Sequence, residues 1–120
     1  MPRTTGPILN NDNATTLTFD ISNDSAVQSV TFELEVFIIT GSGIVKTPIA
    51  HELFSIPPLA NIIKTYDIAG AKAFEFQADG TSGVDFTANI FSTDANGNLI
   101  AAQRVLGSET VKITTLTPVP

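Results

Sequence analysis

Asp94, Asn96 and Asn98, set at alternate positions around Gly97, imitate the first half of a calcium loop, in which oxygen ligands recur every second residue. The acid that would complete such a loop is missing, because position 105 is Val. Asn-Gly also suits a tight hairpin turn, so a turn is the preferred reading and no metal is expected. His51-Glu52 with Arg104 would supply an acid, a base and an anion clamp. A single histidine without a nucleophile beside it is more often structural or merely exposed. Asp12, Asp20, Asp24, Glu33 and Glu35 make the N-terminal half acidic. Their alternation with apolar residues marks the wet face of strands, not a catalytic carboxylate pair. Lysine, asparagine and acidic side chains buried together can condense to an isopeptide, but nothing in the sequence says which lysine would be buried. Asn13-Ala-Thr15 and Asn23-Asp-Ser25 match the glycosylation acceptor pattern, which chance supplies readily in a chain rich in Asn, Ser and Thr. No set of titratable groups converges, so neither enzymatic activity nor a cofactor is expected.

The elements that would position these residues are strands. Val30-Thr-Phe32-Glu-Leu34-Glu-Val36-Phe37 alternates apolar and polar residues, and Val84-Asp-Phe86-Thr-Ala88-Asn-Ile90-Phe91 repeats the pattern. Side chains on a strand point to opposite faces with period two, so each run buries one row and wets the other. The same reading places strands at 17–21, 29–40, 44–56 with a kink near Pro48, 60–68, 73–78, 84–91, 98–106 and 111–116. Turn residues separate them: 22–25, Gly41-Ser-Gly43, Pro57-Pro58, Asp79-Gly80 and 94–97. Eight strands at near-regular spacing predict a single all-β domain, an antiparallel β-sandwich of jelly-roll type over residues 15–118. Gly43 and Gly97 stand at the same offset after the two alternating runs, as a duplicated hairpin with one copy per sheet would place them. The centre of the core is expected at Phe32, Leu34, Val36, Phe74, Phe76, Phe86 and Ile90.

Residues 1–14 hold two prolines, a glycine and several asparagines around one apolar pair, Ile8-Leu9. Such a segment packs no core of its own and reads as an arm, flexible or donated as a strand to a neighbour. Phe37 and Phe91 break the alternation at equivalent places, and Ile39 adds to the first. These three residues would form an outward apolar surface that a loop or a partner must cover.

Composition narrows the partners. Charged residues are only 15% of the chain, well under the usual quarter, so Thr, Ser, Asn and Gln must build much of the surface. That surface suits packing against copies of the same chain. The net charge is −6, and Arg3, Lys46, Lys64, Lys72, Arg104 and Lys112 never cluster, so nucleic acid and membrane are not expected as partners. The chain has no Trp and one Tyr, too few flat rings for a sugar-stacking platform. No Cys is present, which excludes disulfides and leaves the redox compartment open. No signal peptide is read at the start and no apolar run is long enough to span a bilayer.

The stretch Asp94-Ala-Asn-Gly-Asn-Leu-Ile-Ala-Ala-Gln-Arg-Val-Leu-Gly-Ser-Glu109, followed by Leu116-Thr-Pro118, resembles small all-β proteins of endospore-forming Firmicutes. The resemblance covers residues 58–118. More loosely, a short sandwich with a polar N-terminal arm is similar to the subunits of endospore appendage fibres. It implies a homopolymeric filament, extracellular or on the spore surface, whose subunits join by addition of the arm, with Ile8 and Leu9 seated in the next subunit. Spore-surface material made in a mother cell and released by lysis needs no export leader. Appendage subunits of that type cross-link through cysteines, which this chain lacks, so any assembly here rests on strand pairing and burial. The expectation from another class is a monomeric binding module that recognises carbohydrate or protein through its loops.

Overall fold

The computed structural model describes residues 2–41, 45–81 and 83–119. Among the described residues ten strands form: β1 (Arg3–Thr4), β2 (Ile8–Leu9), β3 (Thr16–Asn23), β4 (Val30–Ile39), β5 (Lys46–Ile56), β6 (Asn61–Asp67), β7 (Ala73–Gly80), β8 (Phe86–Thr93), β9 (Val105–Leu106) and β10 (Val111–Lys112). They make two antiparallel sheets. One runs β10-β1-β7-β4-β5, with β2 also on β7, and the other runs β6-β3-β8-β9. The chain is all-β as its alternation requires, but the single eight-stranded sandwich is corrected to ten strands in two sheets.

Period two builds the core. Leu17, Phe19 and Ile21 of β3 are at most 1% exposed, and they face Val30, Phe32, Leu34 and Val36 of β4 together with Phe74 and Phe76 of β7. Phe19 bridges the layers, its ring centroid 4.1 Å from that of Phe76 and 6.1 Å from that of Phe32. Of the expected core centre only Phe86 is not fully buried; it packs at the margin against Phe32, 4.8 Å between centroids. The two alternating runs lie in different sheets, β4 in one and β8 in the other. Gly43, the counterpart of Gly97 in the duplication argument, lies outside the described residues, as does Ile44 at the expected start of its strand.

The differences have local causes. Asp79 and Gly80 extend β7 instead of turning, with Gly80 opposite Phe32. A Cβ at Gly80 would come within 3.0 Å of the Phe86 ring, so glycine here admits aromatic packing and not a reversal. Pro48 does mark an irregularity. Register on β4 moves from Val36↔Ala50 to Phe37↔Pro48, leaving Ile49 as the extra residue of a bulge, where a residue without an N–H costs the ladder least. The strand expected over 98–106 is broken, with a Thr93↔Leu99 bridge, a 3₁₀ turn at Ala101–Gln103 and only Val105–Leu106 paired to β8. Gln103 is the reason: its side chain is buried and hydrogen-bonded to Ser92 and Asn10, which requires the chain to turn inward. Likewise only Val111–Lys112 survives of the last strand, because its partner is the two-residue β1.

Candidate functional site

Three places on this frame can do something: the arm, a cavity between the sheets, and a polar cluster on the outer face of the β7-β4-β5 layer.

The arm lies along the free edge of β7, in the register Arg3↔Ala78, Thr4↔Gln77, Ile8↔Phe74 and Leu9↔Ala73. Between the two short strands Thr5 and Phe76 exchange hydrogen bonds, Thr5 N–H to the Phe76 carbonyl at 3.0 Å and Phe76 N–H to Thr5 Oγ1 at 3.1 Å. Gly6 supplies the left-handed backbone (φ 65°) that returns the chain to the edge. Ile8 packs against the core, whereas Leu9 is 67% exposed, because neighbouring residues of a strand face opposite ways. The expected pair of seated aliphatics is therefore one seated residue and one exposed. Asn10 fastens the arm's end: its amide donates to the carbonyls of Ala14 and Ala71, and its oxygen accepts from Ala14 N–H and from Gln103.

Beside β1, a cavity of about 560 Å³ opens between the sheets, walled by Phe19, Phe32, Phe76, Phe86 and Ile90, with Arg3 and Leu106 at its margins. The Arg3 guanidinium donates to Thr110 Oγ1 at 2.6 Å and to the Thr110 carbonyl at 2.5 Å, tying the arm to the C-terminal segment.

On the outer face of β4, Glu33, Glu35, Phe37 and Ile39 form one row. Glu35 is 2% exposed, which corrects its expected place on the wet face. Phe37 is buried within the chain at 2% exposure, so it offers no open assembly surface; Ile39 and Phe91 are half-buried, Phe91 on the outer face of the other sheet. Glu75 of β7, also 2% exposed, has its Oε1 2.5 Å from Lys46 Nζ. Its Oε2 accepts from the Thr4 hydroxyl and from Gln77 Nε2 at 2.9 Å. Gln77 in turn holds Thr117, which brings the C-terminal segment onto this face. Burial pushes the Glu35 carboxyl up from its ordinary value, the charges of Glu33 and Glu75 push further, and only His51 opposes. Burial also works to raise Glu75, but hydrogen bonds from Lys46, Thr4 and Gln77 prevail and hold it below its ordinary value.

His51 and Glu52 are adjacent, so they point to opposite faces. His51 Nε2 lies 2.7 Å from Glu33 Oε2 on the outer face, while Glu52 meets β6, accepting from Tyr66 Oη at 2.6 Å and Lys64 Nζ at 3.2 Å. Arg104 follows the 3₁₀ turn beside the other sheet, so the acid-base-clamp trio is not brought together. The Tyr66 hydrogen bond is the main cause that lowers the Glu52 pKa; burial and the same contact raise that of Tyr66. A carboxylate with a depressed pKa stabilises the fold above its unfolded value of about 4.5, and that contribution disappears as pH falls through the lower folded value. Tyr66→Phe should therefore cost about 1 kcal/mol at pH 7, discounted for the partial exposure of Glu52, and less at pH 3. Urea midpoints of the two proteins at both pH values check this.

Asp94 directs its carboxylate to the turn itself, accepting from Asn96 N–H at 2.9 Å and Asn98 N–H at 3.0 Å, with Gly97 at φ 81°. Among the described residues, no three His, Asp or Glu side chains gather as a metal site, and no helix is long and apolar enough to cross a membrane. Asn23 of the second acceptor tripeptide is 1% exposed, and its amide donates to the carbonyls of Gln28, Ile56 and Pro57, so in the folded chain it is a structural clamp.

Residue-level reading of the sequence missed the cluster of Lys46, Glu75, Gln77 and Thr4 and the Asn10–Gln103 clamp. One signal was present for the first: Glu35 shares its row with Phe37 and Ile39, and an apolar row that needs covering buries any acid standing in it. No protein-family model, no curated protein and no solved structure matches the chain.

Proposed function

We propose that the chain is a structural, non-enzymatic subunit of a self-assembling filament, extracellular or on a spore surface, whose copies join by exchange of the N-terminal arm. One observation carries the reading: the arm is an edge complement, paired with β7 through main-chain hydrogen bonds and one seated side chain, Ile8. Such pairings are indifferent to which copy supplies the arm. Docked on its own sheet, the arm closes a monomer; docked head-to-tail on the next subunit, it gives an open polymer. The exposed residues 11–13 are the hinge. A surface poor in charge and the likeness to appendage subunits add support. Copies of the same chain are the partners in this reading, with neither nucleic acid nor membrane involved.

The cysteine-free background permits a clean test. Leu9 and Ala73 face each other in register, so Leu9→Cys with Ala73→Cys should, on oxidation under assembly conditions, give a ladder of covalent multimers. Monomer alone, internally bridged, would refute exchange. Ile8→Asp should weaken assembly at least about tenfold, given the transfer energy of a largely buried aliphatic side chain, while Leu9→Asp leaves it nearly unchanged. Negative-stain filament counts measure both.

The cavity favours a second reading, a monomeric accessory module. A stable 12.7 kDa species that binds a small apolar probe and forms no filaments would support it.

A further inference from the structure

We propose that Lys46 and Glu75 condense to an intramolecular amide between Lys46 Nζ and Glu75 Cδ, so that β5 and β7 become covalently joined across β4. The bulge at Ile49 is what makes the pair possible. Lys46 and His51 are an odd number of residues apart, which in an unbroken strand would set them on opposite faces; the extra residue returns both to the outer face of β4. From Lys46, opposite Ile39, the side chain reaches over the Phe37 ring, its Nζ 5.7 Å from the centroid, to stop 2.5 Å from Glu75 Oε1. Glu75 is opposite Phe37 on β7, and its side chain is 3% exposed, so its carboxyl is withdrawn from bulk water.

The remaining groups match what the condensation requires. Thr4 Oγ1 and Gln77 Nε2 both donate to Glu75 Oε2, the oxygen on which negative charge builds when an amine attacks Cδ. Oε1, beside Lys46, is then the leaving oxygen. Glu35 stands on the far side of Phe37 from Lys46, opposite Gln77 and diagonal to Glu75 in the outer row. Its Oε1 is buried and makes no hydrogen bond, and its carboxyl keeps its proton to higher pH than an exposed one.

The step balances without any co-reactant. The Lys46 ammonium passes a proton directly to Glu75 Oε1, 2.5 Å away. The neutral amine attacks Cδ and the C–N bond forms; a proton moves from nitrogen to Oε1, the C–Oε1 bond breaks, and water departs. An ammonium and a carboxylate become an amide and one water. The bond would staple the layer that carries the arm, in a chain with no cysteine for a disulfide. It does not depend on whether the protein polymerises.

Mass spectrometry of the folded full-length chain tests the proposal. Trypsin should fail to cut after Lys46 and should yield a branched product joining residues 4–64 to 73–104, one water lighter than the two separate peptides. Lys46→Arg and Glu75→Ala should each restore the unbranched peptides. Lys46→Arg keeps the cation and serves should Glu75→Ala fail to fold. Folded wild-type protein with separate 47–64 and 73–104 peptides after prolonged incubation overturns the amide.

Discussion

Phe19→Ala should lower the unfolding free energy by about 3–5 kcal/mol and the urea midpoint by roughly 2 M. Phe19 is 1% exposed, and its ring is the bridge between layers, touching Phe76 and Phe32 across the sandwich. Its removal forfeits both transfer energy and packing, and the void it leaves merges with the cavity it already walls. Phe86→Ala is the control: Phe86 borders the same cavity but is only partly buried, so its loss should cost about half as much. Equal losses in the two variants would mean that the cavity is filled in solution and Phe86 is as well packed as Phe19.

Asn10→Ala should cost about 3 kcal/mol and free the arm. Its side chain makes four hydrogen bonds, to Ala14 twice, to Ala71 and to Gln103, and it is 8% exposed. Truncation strands the Ala71 carbonyl and the Ala14 peptide groups, each worth about 1–3 kcal/mol if left without water. The bonds tie the arm's last residue to the body, so the loss falls first on arm opening. Limited proteolysis near residues 5–12 should accelerate about a hundredfold, the equivalent of some 3 kcal/mol. A fall in global stability with arm cleavage unchanged would show that Asn10 braces the body and not the arm.

The strands from 17 to 91 were legible because apolar and polar residues alternate along them, even in β7, which is buried at every position from Ala73 to Gln77. Leu17, Phe19 and Ile21, and Phe32, Leu34 and Val36, are buried as their spacing requires. Residues after 97 were read as two full strands and form two short ones, because a buried Gln103 and a two-residue partner decide pairing there. The arm was legible as poor in core residues, but not its partner: which edge of which sheet it lies along is a long-range matter, and two-residue strands carry no period.

Alternation by itself determined an all-β chain with a Phe-rich interior, since side-chain direction on a strand follows from local geometry alone. Tertiary structure decided what the outer row of β4 does. Glu35 and Phe37 read as an acid on a wet face and an apolar residue awaiting cover, and both are buried because side chains of the flanking strands, Lys46 and His51 of β5 and Glu75 and Gln77 of β7, close over that row. A single inserted residue, Ile49, then turned Lys46 toward Glu75. Burial and bulges depend on what a distant segment brings, and no period within one strand records that.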